Sequence, residues 1–229
     1  IVHAVHVGKG GPYFISGYGG TGKTFLWNSI ISNLRSERRI FLAVASSGVV
    51  SLLLPGGRTG HSRFRIPVDI TDRSQCSISR NSHLAELCQK ACLILWDEAP
   101  MTHRWCFEAL DRTLKDVLSV ENKENALLPF GGKVVVLGGD FRQILPVIEG
   151  GARDDIINSS LIVSPLWQHI KVLKLHCNMR LRCPGLSHNE RAELSEFSEW
   201  VQSIGTGSVP MHCKGDEYVP SWIQIPGDL

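Results

Sequence analysis

A glycine-rich loop between an apolar segment and an amphipathic segment constrains the fold of this chain more than any other feature. In FISGYGGTGKTFLW, residues 14–27, four residues separate Gly17 from Gly22, Lys23 and Thr24. This is the G-x-x-x-x-G-K-[ST] spacing of a phosphate-binding loop. The β-forming residues before it predict a buried strand. The apolar residues after it recur at helical spacing: Leu26, Ile30, Ile31 and Leu34. A glycine-rich turn with a chance lysine is the alternative, and it does not explain why strand, loop and helix agree.

The same loop has the chemistry to hold a nucleotide. Its glycines let the backbone turn tightly and approach a ligand. Successive N–H groups then point at phosphate, together with the positive end of the following helix. Lys23 is expected to reach the β- and γ-phosphates, and the Thr24 hydroxyl to ligate Mg²⁺. The predicted nucleotide-binding residues are Gly17, Gly19, Gly20, Thr21, Gly22, Lys23 and Thr24.

Short apolar runs elsewhere in the 229-residue chain predict the architecture. They are rich in Ile, Val and Leu and apolar on both faces, which is typical of buried parallel strands. Their alternation with helical segments predicts a doubly wound α/β sheet with helices on both faces. The predicted strands are 12–16, 40–45, 91–96, 133–138 and 170–175. Beyond the helix after the loop, helices are predicted at 101–120 and at 190–204, which ends at Gly205, and a loop at 121–132.

Composition excludes several classes of protein. The formal net charge is only +2, so any nucleic-acid contact must come from local patches. No apolar run approaches the length of a membrane span and no secretory signal is visible, so no membrane association is expected. The 7 cysteines show no C-x-x-C spacing, which argues against a zinc module and against a disulfide framework.

An acid pair at the end of an apolar run is a candidate partner for the phosphate loop. In LILWDEAPM, residues 93–101, Asp97 and Glu98 follow three aliphatic residues and a tryptophan. An aspartate at the end of a parallel strand, beside the strand that bears the loop, can hold Mg²⁺ directly or through water. The adjacent glutamate can orient and deprotonate an attacking water. A simple transition from strand to loop is the alternative, and the phosphate loop upstream favours the catalytic interpretation.

A third aliphatic strand carries polar residues at its end. In VVVLGGDFRQILPV, residues 134–147, the strand runs into Gly138, Gly139 and Asp140 and is followed by Gln143. Ligands of open α/β sheets bind at the carboxyl ends of the strands, so this segment is expected in the same crevice. Gln143 is predicted to sense the γ-phosphate or to position water. The alternative is a polar loop residue without a role.

Residues 55–82 break the alternation of strands and helices and are predicted to leave the sheet. Within them, basic residues surround Phe64: Arg58, His61, Arg63 and Arg65. Basic side chains with an aromatic ring for base stacking fit a single-stranded nucleic acid. A solvated basic loop explains the same residues equally well.

These segments together resemble a known family. GYGGTGKT, WDEAPM and GGDFRQILPV, in this order, resemble the PIF (petite integration frequency) family of superfamily-one DNA helicases, and most of all its plant and Helitron-transposon branch. Residues 42–67 look like that branch's segment after the phosphate loop, while FEALDRTLKD and LPFGGKVVVLGGDFRQ look like its signature helix and following strand. LKLHCNMRL, residues 173–181, is similar to the start of the fourth motif. The resemblance covers most of the chain.

The resemblance implies a RecA-like P-loop NTPase domain over residues 1–175, in which 55–82 is an inserted segment that faces DNA. Residues 176–229 would be the start of a second motor domain or a tail, incomplete because no match to the family's later motifs is found there. The adenine-reading glutamine motif is not found either. The expectation is therefore a truncated chain that carries only the first motor domain.

The resemblance also implies a role for each matching residue. Lys23, Glu98, Gln143 and Arg180 would be catalytic, with Glu98 as the general base, Gln143 coupling the γ-phosphate to DNA contact, and Arg180 stabilising charge across the cleft. Thr24 and Asp97 would bind Mg²⁺. The residues implied to contact single-stranded DNA are Ser47, Arg58, His61, Ser62, Arg63 and Phe64.

The function implied is that of an ATP-dependent DNA helicase, with ATP and Mg²⁺ as cofactors and single-stranded and forked duplex DNA as partners. Its work would be in repair, recombination and telomere maintenance, in the nucleus or alternatively the mitochondrion, and a monomer is expected. A second hypothesis is a truncated, non-enzymatic remnant that binds nucleotide or DNA without a motor cycle. A clamp-loader type of ATPase fits the Gly-Asp-Phe-Arg-Gln cluster less well, and a small-molecule kinase fits the acid pair less well.

Overall fold

The computed structural model describes residues 1–213 and 222–225. Its backbone contacts divide the chain into two compact units, Ile1–Asn178 and Met179–Leu229. This division lies three residues beyond the boundary expected from the sequence, between 175 and 176. The two units are described separately below.

A six-stranded parallel sheet forms the centre of the first unit. Its strands follow the order β3-β2-β4-β5-β1-β6, and every neighbouring pair is parallel. The strands are β1 (Gly11–Ser16), β2 (Phe41–Ala45), β3 (Arg58–Thr59), β4 (Leu93–Asp97), β5 (Val134–Gly139) and β6 (Lys171–Lys174). The five predicted strands are therefore present, with ends that differ by a few residues.

Alternate residues of the strands enter two different hydrophobic cores. Ile94 and Trp96 of β4 pack in one core with Phe64, Phe107 and Leu110, among others. Leu93 and Leu95 of the same strand pack in the other core with Trp27, Ile31 and Leu34. Since successive side chains of a strand point to opposite faces, both faces of the sheet are covered. The predicted doubly wound α/β architecture is confirmed.

The helices of the first unit cover the two faces of the sheet. They are α1 (Val2–Val7), α2 (Lys23–Ser36), α3 (Gly48–Ser51), α4 (Gly60–Phe64), α5 (His83–Lys90), α6 (Arg104–Leu118) and α7 (Arg153–Ser159). Helix α2 packs on one face through Trp27 and Ile30, while α6 packs on the other through Phe107 and Leu114. Helix α6 is shorter than predicted because residues 99–101 form a separate 3-10 turn.

The segment predicted as the loop 121–132 is not irregular. It contains a 3-10 helix, Lys123–Leu127, and a tight turn, Pro129–Gly132, in which Phe130 and Gly131 take left-handed φ angles of 51° and 63°. The Asn122 carboxamide oxygen accepts a hydrogen bond from the Glu124 amide at 3.0 Å and starts the first of them. The buried Asp111 carboxylate accepts one from the Phe130 amide at 2.6 Å and holds the second against α6.

Residues 55–82 are more closely joined to the sheet than predicted. Arg58 and Thr59 form the edge strand β3 and pair with Val44 and Ala45, so the expectation that the whole segment leaves the sheet is wrong. The rest of the segment is fastened to α6, where Thr113 accepts a hydrogen bond from the Cys76 amide at 2.9 Å. Buried apolar side chains at both ends of this segment supply the attraction that holds it.

The second unit contains one long helix, α8 (His188–Thr206), and an antiparallel pair, β7 (Met211–His212) and β8 (Trp222–Ile223). Ser187 and Glu190 form a capping box at the start of α8. The predicted end at Gly205 is wrong, because Gly207 takes the left-handed conformation at φ 68° and ends the helix. No described helix in either unit has the length and apolarity that a membrane crossing requires.

Candidate active site

The phosphate loop lies between β1 and α2, as predicted. Gly20 and Gly22 have φ angles of 87° and 89°, a region that favours glycine. The Thr21 hydroxyl donates a hydrogen bond to the Tyr18 carbonyl at 2.8 Å and closes the turn. Gly22 is the N-cap of α2 and has no side chain to occupy the first amides of the helix. Those amides are therefore open to an anion.

The two polar side chains at the start of α2 have different environments. The Lys23 ammonium bends back over the loop and donates a hydrogen bond to the Gly17 carbonyl at 2.5 Å. Thr24 is exposed. Lys23 therefore spans the concave side of the loop, where a phosphate group would replace the carbonyl as its partner.

The acid pair lies at the same edge of the sheet as the loop. Asp97 is the last residue of β4 and is buried, while Glu98 follows it at φ 50° and ψ 42°. The Glu98 amide donates a hydrogen bond to the Asp97 carboxylate at 3.0 Å. The expectation that this strand lies beside the loop-bearing strand is wrong, since β5 separates β4 from β1. The pair still reaches the loop because the carboxyl ends of all these parallel strands meet at one edge.

The electrostatics of the pair reflect burial and crowding by negative charge. Burial raises the pKa of Asp97, and the indole of Trp27, the Glu98 amide and the Lys23 ammonium oppose that rise. The Trp27 indole N–H makes no hydrogen bond in the described part of the chain, so it acts on Asp97 as a nearby dipole. Burial also raises the pKa of Glu98, with further increases from Asp97 and Asp140.

The donor set at this edge fits a magnesium ion. Mg²⁺ prefers oxygen ligands and commonly takes one or two carboxylates together with substrate phosphates. Asp97 offers a carboxylate that is costly to ionise in isolation, and a nearby cation would offset that cost. Thr24 offers an exposed hydroxyl at the start of α2. The residues present are therefore suited to the predicted metal.

The structure brings to the site two residues that sequence reasoning did not single out, Arg142 after the end of β5 and Tyr18 after the end of β1. Arg142 donates a hydrogen bond from its Nε to the buried Asp140 carboxylate at 3.0 Å, and its guanidinium lies 5.3 Å from the centroid of the Tyr18 ring. Tyr18, in the phosphate loop, donates its hydroxyl hydrogen to the His176 carbonyl at 3.0 Å. The polar run Asp-Phe-Arg-Gln was the available signal for Arg142. Gln143 is exposed, and its backbone N–H donates a hydrogen bond to the Asp140 carbonyl at 3.1 Å.

Most of the predicted DNA-contacting residues lie on or beside two short helices and one edge strand. The Ser47 hydroxyl caps α3 by accepting a hydrogen bond from the Val50 amide at 3.2 Å. Arg58 is exposed on β3, and His61 and Ser62 are exposed on α4. Arg63 is partly buried and donates to the Gly56 carbonyl at 3.3 Å. The structure thus leaves Arg58, His61 and Ser62 accessible to a ligand.

Phe64 is a correction to the predicted set. Its ring is 0% exposed and stacks on Trp96 with centroids 6.1 Å apart. A ring in the core cannot stack on a nucleic-acid base, so the prediction for this residue is wrong. The apolar period of α4 directs Phe64 inward and leaves the basic residues outside.

Arg180 belongs to the second unit, in the 3-10 helix Met179–Arg182. Its implied role depends on how the two units approach each other, and it stays a prediction.

The parallel sheet, the phosphate loop and the acid pair define the class of protein, a RecA-like P-loop NTPase domain. A model of one family within that class, described as PIF1-like helicase, matches residues 1–215. The chain belongs to this PIF1-like helicase family.

Among curated relatives, the chain is similar to the ATP-dependent DNA helicase Pif1 of Campylobacter jejuni, with 30% identity over 203 residues. That match covers 85% of this chain and 40% of the relative. Two further relatives are covered over 18% and 20% of their lengths. The chain thus spans between about a fifth and two fifths of these relatives.

Solved structures share the fold. A Pif1 helicase from Bacteroides in complex with ADP-AlF3 and single-stranded DNA superimposes with a TM-score of 0.69 at 23% identity, covering 91% of this chain and 45% of that one. A structure of DNA unwinding at forked duplex DNA by two coordinating Pif1 helicases gives 0.67 at 23% identity, over 91% of this chain and 47% of that one. At 23% identity, both similarities are evidence for a shared fold.

Proposed function

We propose that this chain is the first motor domain of an ATP-dependent DNA helicase, which couples ATP hydrolysis to movement along single-stranded DNA and to duplex unwinding. The observation that carries the proposal is the meeting of Lys23, Asp97 and Glu98 at one sheet edge in a member of the PIF1-like helicase family. Phosphoryl transfer to water requires a cation on the phosphates, a ligand for the metal ion and a general base, and these three residues can supply them in that order.

In the proposed reaction, the loop amides and Lys23 hold the β- and γ-phosphates of ATP. Bound Mg²⁺, held by Thr24 and Asp97, would neutralise charge on the phosphate oxygens. Glu98 accepts a proton from a water whose oxygen bonds to the γ-phosphorus, and the bond from that phosphorus to the bridging oxygen of ADP breaks. The raised pKa of Glu98 makes it a stronger base than an exposed glutamate.

Two further groups are proposed to act on the same phosphate. Gln143, exposed after the end of β5, would sense the γ-phosphate and report it to bound DNA. Arg180 would stabilise the charge that develops on the transferred phosphoryl group. Both assignments rest on the family motifs that these residues match.

The proposed nucleic-acid surface comprises Ser47, Arg58, His61, Ser62 and Arg63. Support comes from the exposure of Arg58, His61 and Ser62 on neighbouring elements. The related Pif1 structures hold single-stranded or forked DNA, and we extend those partners to this chain. We also propose that the chain belongs to the plant and Helitron-like branch, because residues 42–67 are similar to that branch. A location in the nucleus is proposed as the compartment in which a genome-maintenance helicase would work.

The direct test is steady-state ATP hydrolysis by the purified chain with and without a single-stranded oligonucleotide. Lys23→Ala is expected to weaken nucleotide binding. Glu98→Gln is expected to keep binding and to reduce turnover by about 10²–10⁴-fold, the usual contribution of a general base. Lys123→Ala, which removes an exposed lysine from a 3-10 helix, is the matched control and should behave as wild type.

The alternative, a nucleotide- or DNA-binding remnant, has a different signature. Wild-type protein would then bind Mg-ATP through Lys23 but show no turnover with or without DNA, and Glu98→Gln would change nothing. That result would restrict the helicase activity to longer relatives.

A further inference from the structure

The hydroxyl of Ser46, the residue directly after β2, is a hydrogen-bond junction beside the acid pair. It donates to the Glu98 carbonyl at 2.5 Å. It accepts from the Trp96 indole N–H at 3.1 Å and from the Thr102 hydroxyl at 2.7 Å. A serine hydroxyl has one hydrogen to donate and two lone pairs, so its capacity is fully used here.

One branch of this junction holds the residue proposed as the general base. Glu98 has φ 50° and ψ 42°, which non-glycine residues rarely adopt. The hydrogen bond from the Ser46 hydroxyl fixes the peptide group between Glu98 and the next residue. The Ser46 amide donates to the Asp97 carbonyl at 3.1 Å and fixes the peptide group before Glu98. Ser46 therefore restrains the backbone on both sides of the Glu98 Cα atom and so fixes the direction in which the Glu98 side chain leaves the backbone.

The covalent chain and the Trp96 branch lead to the two helices that carry the proposed DNA contacts. Ser46 is bonded covalently to Ser47, the N-cap of α3. Trp96, which donates to Ser46, lies against the first residue of α4, since a Cβ atom on Gly60 would collide with the indole ring. The same ring stacks on Phe64 at the end of α4.

We propose that Ser46 is a positioning residue that couples the DNA-facing helices α3 and α4 to the orientation of Glu98. A displacement of either helix on contact with DNA moves the Ser46 oxygen, directly or through Trp96, and turns the Glu98 peptide. The inference rests on the proposed function, because it assigns a regulatory input to the same general base.

The test compares four variants of the full chain. Ser46→Ala removes the junction, Ser46→Thr keeps the hydroxyl, and Trp96→Phe removes the indole N–H together with the part of the ring that lies against Gly60. Ser36→Ala is the control, since it deletes an exposed hydroxyl that also donates to a backbone carbonyl. We measure kcat and KM for ATP with and without oligo(dT).

In Ser46→Ala, we expect kcat with oligo(dT) to fall by about 10- to 100-fold, as for a misplaced catalytic group, while KM for ATP stays unchanged. Ser46→Thr should restore kcat, Trp96→Phe should lose part of the DNA stimulation, and Ser36→Ala should match wild type. Equal loss in Ser46→Ala and Ser46→Thr, or wild-type stimulation in Ser46→Ala, would overturn the inference.

An equilibrium measurement separates this inference from the hydrolysis proposal. The affinity of the non-hydrolysable analogue AMPPNP is titrated with and without oligo(dT). Because Ser46 acts on the orientation of Glu98 and not on nucleotide binding, Ser46→Ala should bind AMPPNP with wild-type affinity under both conditions, and a weakened affinity would overturn the inference. If wild type binds AMPPNP but never hydrolyses ATP, the hydrolysis proposal fails and the inference fails with it. If wild type hydrolyses ATP and Ser46→Ala keeps the full DNA stimulation, only the coupling fails.

Discussion

At the scale of single residues, the acid pair is arranged for function at a cost to the ligand-free fold. Burial and two neighbouring carboxylates raise the pKa of Glu98, and burial raises that of Asp97. A folded-state pKa above the unfolded value means that ionisation destabilises the fold. This cost is absent at a pH below the ordinary glutamate range and is complete above the raised pKa.

We therefore predict that Glu98→Gln raises the melting temperature of the ligand-free chain at neutral pH. The gain should be roughly 2–4 °C for each kcal/mol of the cost of a buried, crowded charge that the substitution removes, in a domain of this size. It should shrink to nothing as the pH falls below the ordinary glutamate range. Thermal unfolding followed by circular dichroism across pH checks this, with the exposed Glu149→Gln as control. A gain that is independent of pH would contradict the electrostatic explanation.

At the scale of elements, the glycine pair that ends β5 serves packing rather than flexibility. A Cβ atom on Gly138 would collide with the buried Trp27 ring of α2, and one on Gly139 would collide with Pro100. The pair thus lets α2 and the segment after the acid pair close on β5 from two sides. The close approach of α2 also keeps Lys23 at the carboxyl edge of the sheet.

Gly138→Ala is accordingly expected to destabilise the chain by about 1–3 kcal/mol, the usual cost of overpacking a core. Urea unfolding measures this as a lower midpoint with an unchanged slope. Gly48→Ala is the control, because a Cβ atom there meets nothing within 4 Å. An unchanged midpoint for Gly138→Ala would show that Trp27 can move aside.

At the scale of the whole molecule, the structural basis of nucleotide binding lies within the first unit. The six-stranded sheet and both hydrophobic cores fall inside Ile1–Asn178. In the second unit, most apolar side chains of α8 are exposed, with Phe197 and Val201 each 46% exposed, and none of its 19 residues is buried. The core that stabilises the site therefore does not require α8.

The fragment 1–178 should therefore unfold cooperatively and bind AMPPNP with the affinity of the full chain. The reason is that every element beneath the phosphate loop is retained. Calorimetric unfolding and AMPPNP titration check the two parts. Loss of cooperative unfolding, or a weakened AMPPNP affinity, would show that Met179–Leu229 supports the site. Arg180 is absent from this fragment, so comparing its turnover with that of Arg180→Ala in the full chain tests the role proposed for that residue.

The features that could be predicted from the sequence are those that depend on residues close together in the chain. The spacing from Gly17 to Thr24 predicted the loop and the helix after it, because the phosphate loop is a local motif. Apolar runs predicted five of the six strands of the sheet, since buried parallel strands are continuous hydrophobic segments. Asp97 and Glu98 were predicted at a strand end for the same reason.

Only the tertiary structure decided which of these segments meet. The position of β5 between β1 and β4, and the pairing of β3 with β2, depend on contacts between strands that are distant in the chain. The burial of Phe64 depends on Trp96, and the junction at Ser46 joins residues about fifty positions apart. The spacing of apolar residues in the sequence shows whether a segment has the periodicity of a helix or of a strand. Which other element packs against each of its faces depends on contacts across the whole domain.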